Sequence, residues 1–180
     1  ERILEATDRL IELGETAREL QRTVSNGPEI EPLNVVPPVG TAVDRIDERY
    51  PDASVTVDAP GTAVARSAPR LEIAIEELLD NAAKHGGDRP SIDVSVTVDG
   101  DDVVIRVADD GPGLPEQERT VLAAGRETPL EHSSGLGLWL VYWVVTSLGG
   151  DLALPEVETG TTVVVRLPRA SADGDGVTAA

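Results

Sequence analysis

The chain has 180 residues, of which 40% are hydrophobic, so it is long enough to bury one globular core. Its formal net charge of −18 disfavours nucleic acid as a partner, and the absence of cysteine excludes disulfides and thiolate metal sites. No apolar run is long enough to cross a bilayer, so we expect a cytoplasmic protein that meets a membrane only through absent parts of a longer parent.

Residues 1–26 are predicted to form a helix that ends at an Asn-Gly-Pro break. Its apolar and small side chains follow one another at alternating spacings of three and four residues, which is typical of the seam of a coiled coil or helix bundle. We therefore expect a homodimer through this helix; an amphipathic helix that lies on its own domain is the alternative. The seam consists of Ile3, Ala6, Leu10, Leu13, Ala17, Leu20 and Val24.

Residues 27–169 are predicted to form one α+β domain, followed by a disordered acidic tail at 170–180. One mixed sheet with helices on a single face, a two-layer α/β sandwich, accounts for the order of elements. Two strands that alternate with period two form a hairpin around an Asp-Gly turn. Helices are predicted at 37–49, 69–85 and 135–150, and strands at 31–36, 53–60, 61–67, 91–100, 101–110, 151–157 and 161–168.

A polar stripe runs beside the apolar face of the helix predicted at 69–85. Glu77, Asn81 and Lys84 are spaced four and three residues apart, so they share one side of the helix. An amide oxygen suits a hard cation such as Mg²⁺, and the only lysine of the chain offers a compact, mobile charge for a phosphate. A solvated helix face is the simpler interpretation of this stripe alone.

Two glycine-containing segments follow that helix in the sequence. The first places Asp109 at a strand end before Gly111 and Gly113, which allow the backbone to pass close to a ligand; an ordinary Asp-Gly turn is the alternative. The second places Gly135 and Gly137 at the start of an apolar helix, where backbone amides favour phosphate. Each motif is weak evidence by itself.

The order and spacing of these motifs together resemble the Bergerat-type ATP-binding domain, over about residues 30–168. That superfamily includes sensor histidine kinases, anti-sigma serine kinases, DNA gyrase B, MutL and the heat-shock chaperone ATPases. The resemblance implies that ATP and Mg²⁺ bind between the helix of Asn81 and a lid from Leu114 to Ser134.

The resemblance also implies a role for each matching residue. Asn81 holds Mg²⁺, with Glu77 as a second metal-shell or catalytic group, and Asp109 accepts a hydrogen bond from the adenine amine. The remaining implied contacts are Lys84 with phosphate, His85 with ribose or phosphate, Gly111 and Gly113 with adenine, Gly135, Leu136 and Gly137 with the phosphates under the lid, and Thr161 with the adenine side.

The segments GLGLWLVYWVVTSLGGDL and GTTVVVRLP most resemble sensor histidine kinases, and the heptad helix resembles the second helix of their phosphoacceptor bundle. This branch implies transfer of the ATP γ-phosphate to a histidine on a preceding domain absent here, and relay to a response-regulator receiver domain. The acidic, lysine-poor composition further resembles proteins of acidic haloarchaeal type from salt-loaded cytoplasm, where salt screens self-repulsion.

Three departures from the histidine kinase pattern leave alternatives open. Glu77 stands where that branch often has asparagine, so it is either a general base or a carboxylate that holds the metal shell through water. The lid lacks phenylalanine, and neither His85 nor His132 lies in a helix like the acceptor-bearing one. An anti-sigma-type serine/threonine kinase, a gyrase-like ATPase switch and a non-enzymatic nucleotide-binding or dimerisation module therefore remain as alternative functions.

Overall fold

The computed structural model describes residues 30–114 and 135–170. The predicted N-terminal helix at 1–26, the lid beyond Leu114 and the tail beyond Ala170 lie outside the described residues. Within the described ranges, each predicted helix and strand is present, with bounds that differ by a few residues. The helices are α1 Val36–Arg49, α2 Leu71–His85 and α3 Gly135–Ser147, and the strands are β1 Glu31–Asn34, β2 Ser54–Asp58, β3 Val64–Ser67, β4 Ser91–Asp99, β5 Asp102–Asp109, β6 Asp151–Ala153 and β7 Thr162–Pro168.

The main sheet has five strands in the order β2-β4-β5-β7-β6. Strand β2 runs parallel to β4, and the other neighbours are antiparallel, so the sheet is mixed as predicted. The chain connects β2 to β4 through β3 and α2, which is the crossover that a parallel pair requires. The predicted hairpin pairs Asp99 with Asp102 across a two-residue turn at Gly100, whose φ of 59° favours glycine.

The prediction of a single sheet is wrong in one respect, because β1 and β3 pair with each other in a separate two-stranded sheet. The register matches Glu31 with Ser67 and Asn34 with Val64. The chain turns into α1 directly after β1, and the Val35 N–H donates to the Ala63 carbonyl at 2.9 Å. These two strands therefore satisfy backbone groups of each other, and β3 also bonds to the chain directly after β7, where the Ala170 N–H donates to the Val64 carbonyl at 3.0 Å.

The hydrophobic core lies between the sheet and the three helices. Alternate side chains of the central strands point to this layer, while their neighbours face the other side, as period-two sequences require. Helix α2 packs between α1 and α3, and its predicted apolar face is buried. Among the described residues, no helix is both long and apolar enough to cross a membrane. The core residues of β4, β5 and β7 are Ile92, Val94, Val96, Val103, Ile105, Val107, Val163, Val165 and Leu167.

Ion pairs join the outer sides of α1 and α2. Arg45 contacts Glu72 and Glu76 at 2.8 Å each, and Arg49 contacts Glu76 at 2.9 Å and Asp80 at 3.0 Å. Because both arginines are about half exposed, each of these pairs contributes little by itself. They join the polar sides of α1 and α2, while the apolar side of α1 is buried in the core.

Asp80 is the buried member of this network, with only 7% of its surface exposed. Burial alone raises the pKa of a carboxyl, but hydrogen bonds from Lys84, the Tyr50 hydroxyl and Arg49 outweigh burial and hold the pKa of Asp80 below its ordinary value. The pKa of Tyr50 is raised to about 12 by its burial and by its hydrogen bond to Asp80. The ionised carboxylate therefore stabilises the folded domain.

Asp80→Asn is expected to lower the free energy of unfolding at neutral pH by about 1 to 3 kcal/mol, because charge-assisted hydrogen bonds are lost. Because the pKa of Asp80 is lower in the folded state, its carboxylate stabilises the fold fully at pH values above the unfolded-state pKa of 3.8. This stabilisation is lost as the pH falls through the folded-state pKa. The difference between wild type and variant should therefore shrink below about pH 4. Urea denaturation of both proteins between neutral pH and acid pH measures this difference in the free energy of unfolding. A difference that does not change with pH would contradict the stabilising role of the Asp80 carboxylate.

Candidate functional site

A cavity of about 260 Å³ lies between α2, the ends of β5 and β7, and the start of α3. Its walls combine apolar side chains with a few polar groups, which is typical of small-molecule sites. Among the predicted site residues, Asn81, His85, Asp109, Gly113 and Thr161 line it. The other lining residues are Leu78, Ala82, Val107, Pro112, Leu114, Leu138 and Val163.

The carboxylate of Asp109 is held by the backbone on two sides. Its Oδ1 accepts hydrogen bonds from the Gly111 N–H at 2.9 Å and from the Thr161 N–H at 3.2 Å. The Asp109 N–H in turn donates to the Thr161 carbonyl at 2.9 Å. Both amides bond to Oδ1, and within residues 30–114 and 135–170 no hydrogen bond reaches Oδ2, so this oxygen can accept from a donor in the cavity. The turn after β5 and the loop before β7 thus fix one acceptor in place.

Gly160 allows these two segments to approach each other. Its φ is 73°, and a Cβ at this position would overlap the Asp109 carbonyl oxygen. Gly113 has a φ of 83° and lies next to Gly160, because a Cβ at Gly113 would be 3.1 Å from the Gly160 carbonyl oxygen. Both positions therefore favour glycine for conformation, and Gly160 also requires it for space.

Glu77 and Asn81 converge at the start of α3. A Cβ added to Gly137 would lie 2.7 Å from Glu77 Oε2 and 3.1 Å from Asn81 Nδ2. The Asn81 Nδ2 atom is buried and has no hydrogen-bond partner within the part of the chain that the structure describes. A buried, unsatisfied amide is costly, so this side chain is suited to a ligand that supplies its missing contact.

The helix α3 begins at Gly135, directly beside this pair of side chains. The first backbone N–H groups of a helix lack intrahelical acceptors, and the helix dipole adds positive potential there, so anions are favoured. Gly135 and Leu136 form the start of the helix as backbone, while the side chain of Leu136 lies outside the description. An acceptor at Asp109, an amide at Asn81 and an anion-favouring helix start therefore surround one cavity.

Comparison with known proteins agrees with this geometry. Residues 66–171, more than half of the chain, match the family described as histidine kinase-, DNA gyrase B- and HSP90-like ATPase. The chain belongs to this ATPase family. The resemblance inferred from the motifs and the predicted Bergerat-type fold are thereby confirmed.

The relatives of this ATPase domain are sensor histidine kinases. The chain is 33% identical over 150 residues to the signal transduction histidine-protein kinase/phosphatase MprB of Mycolicibacterium smegmatis. This match covers 79% of the chain and 30% of MprB. The chain is also 35% identical over 141 residues to the signal transduction histidine-protein kinase AfsQ2 of Streptomyces coelicolor, a match that covers 73% of the chain and 26% of AfsQ2. The solved ATP-binding domain of PrrB from Mycobacterium tuberculosis matches with a TM-score of 0.66 and 29% identity, over 79% of this chain and 99% of that one. The chain thus spans less than a third of these curated relatives' length.

Lys84 of the ATPase domain does not line the cavity, although it was predicted to contact phosphate. Its ammonium lies 2.7 Å from Asp80 Oδ2, and its side chain is 44% exposed. His85, one residue further, does line the cavity, while its carbonyl oxygen lies close to Gly111. The structure therefore brings Asn81 and His85 to the cavity, whereas the Lys84 ammonium is paired with Asp80.

Sequence reasoning did not identify three parts of this site. Its apolar lining belongs to core faces that were predicted only as core, such as Leu78 and Val107. Gly160 was present in the Gly-Thr-Thr motif, but its contact with Asp109 depends on how two distant loops meet. Asp80 precedes Lys84 by four residues, a spacing that indicates a helical ion pair and could have been read from the sequence.

Gly137→Ala is expected to weaken nucleotide binding by about tenfold or more while costing little stability, because the added methyl would displace Glu77 and Asn81 rather than backbone. Calorimetric titration with an ATP analogue, together with thermal unfolding, measures both effects. Gly40→Ala, where a Cβ meets nothing within 4 Å, is the matched control. Unchanged affinity in Gly137→Ala would show that this contact does not matter for the ligand.

Proposed function

We propose that the chain is the ATP-binding catalytic domain of a two-component sensor histidine kinase. It binds ATP and donates the γ-phosphate to a histidine on a preceding domain outside this sequence. A response-regulator receiver domain takes the phosphate from that histidine onto an aspartate. Family membership and histidine kinase relatives support this proposal.

One observation carries the proposal further than family membership: Asn81, Asp109 and Thr161 line a single cavity. The Oδ2 atom of Asp109, which receives no hydrogen bond from the described part of the chain, provides the acceptor that an exocyclic adenine amine needs. Thr161 is fixed to Asp109 through its backbone N–H, so the two residues form one rigid wall for the adenine side. The phosphates then extend toward Asn81 and the amides of α3.

Magnesium fits the residues at this end of the cavity. Asn81 Oδ1 and Glu77 Oε2 both lie beside Gly137, 3.6 Å and 2.7 Å from the position of a Cβ added there, so two oxygens face the same point. Within the described ranges, no group of three or more histidine, cysteine or acidic side chains could hold a metal by itself. This is consistent with Mg²⁺, which typically takes one or two protein oxygens plus phosphates and waters. The bound ion supplies charge neutralisation at the phosphates.

Catalysis by this domain consists of positioning and charge neutralisation. A neutral imidazole is already nucleophilic, so a histidine acceptor requires no base to remove a proton before attack. We therefore assign Glu77 to the magnesium shell and Lys84 to a phosphate oxygen. Residues 1–26 are proposed to belong to the phosphoacceptor bundle, to form a homodimer and to place the acceptor near the cavity.

A serine/threonine kinase of the anti-sigma kind is the second candidate function. The proximity of Glu77 Oε2 to Gly137 at the phosphate end favours it, because a carboxylate there could deprotonate a hydroxyl. A gyrase-like switch or a non-enzymatic module would bind nucleotide without forming a phosphoprotein.

The chemistry of the phosphorylated product distinguishes these candidates. The full-length protein is incubated with ATP labelled at the γ-phosphate, and the phosphoprotein is exposed to acid and to alkali. Phosphohistidine is acid-labile and alkali-stable, whereas an acid-stable, alkali-labile product would establish the serine/threonine kinase. Absence of any phosphoprotein, with ATP still bound, would favour the non-enzymatic module.

The net charge of −18 is proposed to reflect a salt-loaded cytoplasm rather than an acidic binding surface. Raising KCl from about 0.1 M to about 1 M shortens the screening length from about 10 Å to about 3 Å. The unfolding temperature is therefore expected to rise with KCl, because repulsion between carboxylates is screened. Calorimetry with an equally concentrated neutral osmolyte is the control; an unfolding temperature that falls with KCl would contradict the proposal.

A further inference from the structure

The position of Lys84 on α2 allows its ammonium to reach either Asp80 or a phosphate near Asn81. It follows Asp80 by four residues and Asn81 by three, and residues at both spacings are neighbours on a helix surface. In the structure its ammonium lies 2.7 Å from Asp80 Oδ2. Because its side chain is flexible and 44% exposed, a rotation of the stem can carry the ammonium toward the phosphate end of the cavity at Asn81.

Asp80 does not depend on Lys84 alone. Its Oδ1 accepts hydrogen bonds from Arg49 Nη1 at 3.0 Å and from the Tyr50 hydroxyl at 2.8 Å. Both donors come from the end of α1 and the residue after it, so neither moves when Lys84 does. A buried carboxylate that lost its only partner would strongly destabilise the protein. With two fixed donors remaining on Oδ1, Asp80 stays hydrogen-bonded when the lysine leaves, while Oδ2 exchanges the lysine for another contact.

On the basis of the proposed function, we infer that Asp80 is a positioning residue that exchanges Lys84 with the phosphates of the nucleotide. Without nucleotide, the Lys84 ammonium pairs with Asp80. When nucleotide binds, the ammonium leaves Asp80 and contacts a phosphate oxygen. Asp80 itself contacts no substrate and acts through Lys84. This exchange also accounts for the only lysine among 15 basic residues, because an arginine fork could hold Asp80 through two hydrogen bonds and would leave it less readily.

The single lysine makes this exchange directly observable. Lysine labelled with ¹³C at Cε and ¹⁵N at Nζ gives one side-chain signal from the whole chain. A saturating non-hydrolysable ATP analogue with Mg²⁺ is expected to shift this signal, and saturating adenosine is expected to leave it in place. In Asp80→Asn the signal without ligand should differ from wild type, whereas the signals with the analogue should coincide.

Affinity measurements separate positioning from a structural role. Asp80→Asn is expected to strengthen binding of the ATP analogue by about two- to fivefold, because the ion pair between Lys84 and Asp80 no longer has to be broken, and to leave adenosine affinity unchanged. Glu76→Gln is the matched control: it removes the same charge from the same network, but Glu76 contacts Arg45 and Arg49. Its ratio of analogue to adenosine affinity should equal that of wild type.

Several results would overturn the inference. Equal losses of analogue and adenosine affinity in Asp80→Asn would indicate a structural role. A Lys84 signal that stays unchanged when wild type binds the analogue would show that the lysine remains on Asp80, and this wild-type measurement decides even if the variant fails to fold. In both cases the proposed function stands, whereas failure of the wild type to bind any nucleotide removes both proposals.

Discussion

Asp109→Ala is expected to lower the affinity for ATP by about 100-fold, because it removes the charge-assisted hydrogen bond to the adenine amine. The truncation also leaves the Gly111 and Thr161 amides without their shared acceptor, so the walls on both sides of the adenine lose their tether. Fluorescence or calorimetric titration with ATP and with adenosine measures the loss. Both ligands should be affected equally, because the contact is with the base.

The neighbouring residue provides a matched control for this variant. Asp110 also bonds to the backbone, through the Ser91 N–H at 2.9 Å, but it does not line the cavity. Asp110→Ala should therefore bind nucleotide like wild type. Asn81→Asp should lose affinity for ATP but keep its affinity for adenosine. The substitution adds a second carboxylate beside Glu77, and this negative charge repels the phosphates. ATP affinity that survives both Asp109→Ala and Asn81→Asp would place the ligand in another part of the protein.

Gly160→Ala is expected to lower the free energy of unfolding by about 3 kcal/mol or more. Its φ of 73° is unfavourable for alanine, and the new methyl would overlap the backbone carbonyl of Asp109, which a side-chain rotation cannot relieve. Separation of the two segments would also break the hydrogen bond between Thr161 and Asp109. The variant should therefore lose stability and nucleotide affinity together.

Denaturant unfolding of Gly160→Ala beside Gly61→Ala measures this effect. A methyl added at Gly61 would meet open space, and the φ of Gly61 is not positive, so this variant reports the ordinary effect of replacing glycine. Equal stability of the two variants would contradict the close approach of the loop before β7 to the turn after β5. Gly137→Ala offers a further contrast, because there the methyl meets side chains and the expected loss is confined to binding.

Much of the fold could be predicted because its signals are local. The alternation of Ile92, Val94 and Val96 with polar residues specifies a half-buried strand, and Gly100 marks the hairpin turn. The apolar period of α2 likewise predicts its buried face. The pairing of β1 with β3 was not predicted, because strand partners depend on where α1 carries the chain and both strands are short.

Only part of the candidate cavity was predicted, because Glu77, Lys84, Gly111 and Gly137 do not line it. Asn81, His85, Asp109, Gly113 and Thr161 were inferred from motifs and all line one cavity. The motifs could not show which oxygen of Asp109 remains available, since that depends on amides from two separate loops. They also could not show that Lys84 pairs with a buried carboxylate, whose burial is produced by α1.

The sequence by itself determined the elements, their faces and the family of this ATPase domain, because hydrophobic period, turn residues and motif spacing are properties of neighbouring positions. Only the tertiary structure decided that the Gly160 backbone supports Asp109, that Gly137 lies against Glu77 and Asn81, and that Lys84 pairs with a buried Asp80. Each of these contacts joins segments that are distant in sequence or depends on burial by another helix. Their energies therefore depend on packing, which no local pattern specifies.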